Sequence, residues 1–141
     1  FSLGVAVFSA VNKYLAKLMN RFDEYDVSMS ETHHIHKLDA PSGTALALAD
    51  SINEVLNDEY DYTYDRSQER KKRDKKEIGI SAVRGGTIVG DHDVIFAGED
   101  EVITFNHRAY SKAVFAKGAI QAAKFLAGKE ARMYDMSDVI G

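Results

Sequence analysis

Residues 77–110 constrain the fold more than any other part of the chain. EIGISAVR, GTIVGDHDVIFAG and EDEVITFNHRAY are successive β-type segments, divided by the turn-forming Gly85-Gly86 and Gly98-Glu99-Asp100. Links this short predict an antiparallel meander. A further strand is expected over 26–35, where Val27, Met29 and Glu31 alternate with Ser28, Ser30 and Thr32. Helical spacing appears in three places. Phe8, Val11, Leu15, Leu18 and Phe22 form a stripe over 4–22, and Phe115, Ala119, Ala122 and Leu126 form one over 111–127. Between them, Ala45, Leu48, Ala49 and Ile52 continue from a Ser42 N-cap to about residue 57. The expected architecture is α+β: a mostly antiparallel sheet of about four strands with helices packed on one face. Residues 57–77 show no period and read as a loop. Apolar residues of the meander, among them Ile78, Val83, Val94, Ile95 and Val102, fall on both parities. The second sheet face is therefore expected to be covered, most simply by another copy of the chain.

Composition narrows the chemistry. The absence of cysteine removes thiolate zinc sites, disulfide scaffolds and thiol nucleophiles. A net charge of -4 argues against a nucleic-acid binder, and Glu69, Asp74 and Glu77 interrupt the basic run 66–76, which reads as a solvated loop. No apolar run approaches the ~20 residues that span a bilayer, so no membrane partner is expected. At 141 residues the chain suits one domain without a metal or disulfide to hold it together.

The chemistry concentrates in ETHHIHKLDAPSGTA, residues 31–45. His34, His36 and Asp39 have the look of a metal-binding pair with a carboxylate. They lack a third and fourth ligand, however, because His92 and His107 sit alone in their strands and no His-Glu-x-x-His motif occurs. No metal is expected. On an extended segment His33 and Lys37 would share a face, with room between imidazole and ammonium for a small substrate. Ser42, Gly43 and Thr44 open a helix, where free N–H groups and the positive end of the dipole accept anions. A solvated lysine, a hydrogen-bonded histidine and an ordinary N-cap would use the same residues. Their adjacency favours a small dicarboxylate that must be held and protonated. Arg84 could also reach an anion, whereas VRGGTIVGDH carries no dinucleotide fingerprint.

The segment resembles the signature of the dihydrodipicolinate reductase family, Glu-x-His-x-x-x-Lys-x-Asp-x-Pro-Ser-Gly-Thr-Ala. It is matched by Glu31, His33, Lys37, Asp39, Pro41, Ser42, Gly43, Thr44 and Ala45. Upstream the chain departs, with Ser28 and Met29 where an acidic and a β-branched residue are expected. FSLGV, EIGISAVRGGTIVGDHDVIFAG and FAKGAIQAAKFLAGKEARMYDMSDVI are similar to further parts of that family. The resemblance implies the C-terminal part of a 4-hydroxy-tetrahydrodipicolinate reductase, an oxidoreductase of diaminopimelate and lysine biosynthesis using NADPH or NADH. The family's N-terminal Rossmann domain is not among these residues, which fits a chain that begins without methionine and implies inactivity alone.

By the same resemblance His33 would be the acid/base residue and Lys37 the proton donor. His34, Ser42, Gly43 and Thr44 would bind substrate carboxylates, and Phe1 would belong to a cofactor-contacting loop. Residues 1–114 would form a substrate-binding and oligomerisation domain, with 115–141 a helix and tail packing on the nucleotide domain. A cytoplasmic homotetramer is implied. The competing readings are a non-catalytic assembly module and a histidine-dependent metallohydrolase.

Overall fold

In the computed structural model, which describes all 141 residues, the strand Asp26–His33 (β1) takes the centre of a five-stranded sheet. Around it lie β2 (Asp61–Thr63), β3 (Glu77–Arg84), β4 (Gly90–Ala97) and β5 (Val102–Ala109), in the order β2-β3-β1-β4-β5. The helices are α1 (Leu3–Met19), α2 (Gly43–Val55), α3 (Ala113–Leu126) and α4 (Met136–Ile140). The fold is α+β, as expected, with antiparallel pairing along β1–β4 and β4–β5 and parallel pairing along β1–β3 and β2–β3.

The expected meander holds only for its second half. β4 and β5 form a hairpin, but β3 and β4 do not touch, because β1 lies between them. Neighbours in sequence are usually neighbours in a sheet, yet a β-α-β crossover overrides that tendency. Here α2 carries the chain from β1 to the parallel β3. β1 has apolar Val27 and Met29 buried on one face and strands on both edges, so it suits the middle. The loop expectation for 57–77 missed β2, which adds three residues to the outer edge of β3. The basic run in that loop is stitched to the sheet. Arg73 donates to the Val27 carbonyl at 2.8 Å and to Asp26 at 3.2 Å, and Arg66 pairs with Glu77.

The core lies between the sheet and the α1–α2 pair. Val27, Met29, Ile78, Ile80, Val94 and Phe96 meet Phe8, Ala16, Leu48 and Ile52 there. Each fully buried aliphatic contributes roughly 1.5–3 kcal/mol of burial free energy, so this wall offsets the desolvation of the polar groups set beside it. Pleating puts those strand residues on one face. The opposite face is mostly polar, with Ser30, Asp93 and Asn106 along it and Val83, Ile95 and Val102 as its larger apolar side chains. The apolar residues expected on two faces therefore lie mainly on one.

Two helical stripes are rotated from expectation. In α1 the buried residues are Phe8, Asn12 and Ala16, whereas Val11 is exposed and Phe22, also exposed, lies beyond the helix end; small Ala16 and Asn12, whose Nδ2 donates to the Phe8 carbonyl at 2.8 Å, let the helix lie close to the sheet. In α3 Gly118 and Ala122 are buried, while Phe115 and Leu126 are exposed. Gly118 is required at that contact: a Cβ there would come within 2.6 Å of the Phe1 carbonyl oxygen.

Candidate functional site

The inward face of β1 changes character along its length. Val27 and Met29 lie in the core, and the next two residues of the same parity are Glu31 and His33, both buried. Register brings their partners: His92 of β4 lies opposite Glu31, and Arg84 of β3 lies beside His33. The βα turn that follows returns Ser42 and the N-terminus of α2 to the same end of the strand. Residues 31, 33, 42, 84 and 92 thus converge although they span more than 60 positions.

Glu31 is the hub, at 1% exposure. Its Oε1 accepts from the Ser42 N–H at 3.0 Å and from Arg84 Nη2 at 2.9 Å. Its Oε2 accepts from Arg84 Nη1 at 2.9 Å and lies 2.5 Å from His33 Nδ1. Burial pushes the Glu31 carboxyl up, but hydrogen bonds from Arg84, His33 and the Ser42 amide outweigh it and hold the group below the usual carboxylate range. The His33 ring meets His92 edge-on, with centroids 5.1 Å apart. Burial, reinforced by His33, pulls the His92 imidazole down to about 4, so it is neutral near pH 7. His92 Nε2 lies 2.9 Å from Ser42 Oγ, which also accepts the Ala45 N–H at 3.1 Å as the N-cap of α2. Gly90 backs the cluster. A Cβ there would stand 3.2 Å from His33 Nε2, so the ring depends on the missing side chain.

Beyond this buried base the groups are more exposed. The strand ends at His33, so Lys37 lies in the following loop rather than on an extended face shared with His33. Its Nζ pairs with Asp39 Oδ1 at 2.8 Å, and that hydrogen bond holds the Asp39 carboxyl below its ordinary range. His34 Nδ1 accepts the His36 N–H at 3.2 Å, which leaves Nε2 as the proton-bearing nitrogen of the neutral ring. Desolvation, with the charges of Lys112 and Lys37 among its neighbours, lowers the pKa of His34. At the start of α2, Ser42 Oγ caps only the Ala45 amide. The N–H groups of Gly43 and Thr44 lie in the first turn, where a helix supplies no acceptor, and space beside Gly43 is open.

Two sequence expectations change here. Arg84 is committed to Glu31 and to the Asp39 carbonyl at 2.8 Å, so it braces the site instead of reaching outward. His92 has a histidine partner after all. His34, His36 and Asp39 do not gather into a metal site; the residues whose ligand atoms lie within 4.8 Å of one another are Glu31, His33 and His92. That trio does not suit a cation, since the Arg84 guanidinium already sits against both Glu31 oxygens. Glu31 was visible two positions before His33 on the same parity. His92 carried no signal, because its placement needs the strand order.

Phe1 stands apart, 74% exposed, with its carbonyl against Gly118 of α3. A groove of about 590 Å³ runs from Phe1 and Ser2 along α1 and α2 to Ser137 and Ile140.

Fold and site together define a class: an α+β domain that offers a carboxylate-held histidine and an open helix N-terminus at the mouth of one βα turn. The chain belongs to the family described as dihydrodipicolinate reductase, C-terminus, which it matches over residues 4–140. It is 51% identical over 139 residues to a 4-hydroxy-tetrahydrodipicolinate reductase of Caldanaerobacter subterraneus subsp. tengcongensis, covering 99% of this chain and 54% of that protein. The protein of the same name from Methanoculleus marisnigri is 44% identical over 141 residues, covering 100% of this chain and 54% of its own length. The chain thus spans about half the length of these curated relatives. A solved dipicolinate-bound dihydrodipicolinate reductase from Paenisporosarcina sp. TG-14 has a similar fold, with TM-score 0.68 and 25% identity over 95% of this chain and 51% of that one.

Proposed function

We propose that these residues form the substrate-holding and proton-delivering part of a 4-hydroxy-tetrahydrodipicolinate reductase, an oxidoreductase of diaminopimelate and lysine biosynthesis. The observation that carries this reading is the pairing of a carboxylate-held His33 with the uncapped N–H groups of Gly43 and Thr44 at one end of β1. A related enzyme of this fold is described with dipicolinate, a flat ring bearing two carboxylates. One carboxylate would sit on the Gly43 and Thr44 amides, where the helix dipole favours an anion. Nε2–H of His34 would donate to a carboxylate as well. Ser42 has its N–H and its hydroxyl engaged by Glu31, Ala45 and His92, so its part is to shape the helix end.

Reduction of a conjugated ring places negative charge on it, and Lys37 with His33 would supply the proton and stabilise that charge. Lys37 must leave Asp39 to do so. That pair has an exposed carboxylate screened by solvent, so releasing it costs little.

The reductant would be NADPH or NADH. This chain's own residues would not form its site, since no glycine-rich strand-to-helix turn is present, and the exposed Phe1 would belong to a cofactor-contacting loop. The dinucleotide would be held by a separate domain of the whole protein, with residues 115–141 packing against it. We place the enzyme in the cytoplasm as a homotetramer joined through the open sheet face, where Val83, Ile95 and Val102 remain uncovered by the helices. No helix is long and apolar enough to cross a membrane. An assembly module alone would not need a buried acid/base cluster, and the metallohydrolase reading is disfavoured because the one carboxylate of the Glu31, His33 and His92 trio is held by Arg84.

Titration with pyridine-2,6-dicarboxylate, followed by amide NMR, tests the reading. Shifts should concentrate at Gly43, Thr44 and His34. Unmoved Gly43 and Thr44 amides at millimolar ligand would sink it.

A further inference from the structure

We propose that Glu31 is the positioning residue of the site, holding His33 in the Nδ1–H tautomer while fixing Ser42, the N-cap of α2, against the same carboxylate. This rests on the reading above, in which His33 moves the proton and α2 holds the carboxylate.

The geometry assigns each oxygen a distinct task. Oε1 takes two donors that cannot become acceptors, the Ser42 backbone N–H and one Arg84 nitrogen. Oε2 takes the other Arg84 nitrogen and His33 Nδ1. A carboxylate is acceptor-only, so a neutral His33 must carry its proton on Nδ1, which leaves the Nε2 lone pair free for chemistry. Nε2 makes no hydrogen bond within the protein, and Gly90 leaves room beside it. One buried carboxylate therefore ties proton transfer to anion binding: any shift of the helix end drags the group that orients the base. Arg84 keeps that carboxylate ionised and immobile.

The consequence of neutralising Glu31 can be derived from the same donor set. In Glu31→Gln one oxygen becomes an NH2 group. The amide oxygen stays at the Oε1 position, which faces two obligate donors, the Ser42 N–H and Arg84 Nη2, whereas the Oε2 position faces one, Arg84 Nη1, which loses its acceptor. The NH2 then faces His33 Nδ1, which has to accept, so the ring proton moves to Nε2.

The test is nitrogen-15 NMR of the histidine rings, at a pH where His33 is neutral, on the chain and on its Glu31→Gln variant. The wild-type ring should show a protonated Nδ1 and an unprotonated Nε2, and the variant should show the two resonances exchanged. A wild-type ring protonated on Nε2 would overturn the proposal, and this reading stands even if the variant does not fold. A folded variant whose ring keeps the wild-type pattern would overturn it too, leaving Glu31 a structural buried acid. The dicarboxylate titration on the same samples separates the two ideas. Exchange of the ring resonances without any wild-type dicarboxylate shift would support the positioning role and count against the proposed function alone.

Discussion

His92 and Glu31 carry opposite charges when ionised, yet both make folding weaker in acid. His92 is held at about 4 in the fold against 6.5 for an unperturbed imidazole, so between those values the unfolded chain binds a proton that the folded one refuses. Stability should fall as pH drops from about 6.5 to about 4, by roughly 3 kcal/mol at 1.36 kcal/mol per pKa unit. Glu31 adds to this lower down: its carboxyl is depressed, so its contribution is present above the ordinary carboxylate value and is lost as pH falls through the folded one. Urea unfolding at a series of pH values should show the upper slope, and His92→Gln should flatten it. In the proposed function the proton is moved by other residues. Placed in a full-length reductase, Lys37→Met and His33→Ala should each lower kcat ~10²- to 10⁴-fold; the unfolding midpoint should stay nearly unchanged for Lys37→Met and fall for His33→Ala, which takes a hydrogen bond away from buried Glu31. His36→Ala should do little, since that side chain is exposed and its backbone N–H makes the recorded bond. Steady-state kinetics against thermal unfolding checks all three.

At the scale of elements, Ser42 ties helix to sheet. Ser42→Ala removes the cap of α2 and leaves His92 Nε2 buried without its partner. A lost cap costs about 1 kcal/mol and a stranded polar group ~1–3 kcal/mol, so a loss of about 2–4 kcal/mol is expected in denaturant unfolding, with Ser42→Thr milder because it keeps the hydroxyl. The sequence announced this helix well. A cap, a glycine and a 3.6-residue period all lay within fourteen positions, and the observed α2 (Gly43–Val55) follows them closely. Strands β3, β4 and β5 were legible for the same local reason. What could not be read was their order, because the slot between β3 and β4 is claimed by a strand about fifty residues earlier. That single fact hid His92 as a partner of His33 and turned Arg84 from a presumed ligand contact into a brace. The stripe of α1 misled because polar Asn12 is buried where an apolar residue was expected, its NH2 group donating to the helix's own Phe8 carbonyl while its Oδ1 has no partner.

For the whole molecule, the uncovered sheet face bears on assembly. It holds apolar Val83, Ile95 and Val102 among small and polar side chains, a surface that can pair sheet to sheet without large rearrangement. Light scattering on a sizing column should give a tetramer at micromolar concentration. A clean monomer would mean that this face is content in water. The central position of β1 has another consequence, one of timing. Glu31 and His33 acquire their neighbours only after a parallel partner from one side and an antiparallel partner from the other have both docked. No hairpin or isolated helix along the folding route could therefore contain a working fragment of the site. The buried cluster is complete only when the sheet is, and it is lost when the sheet opens.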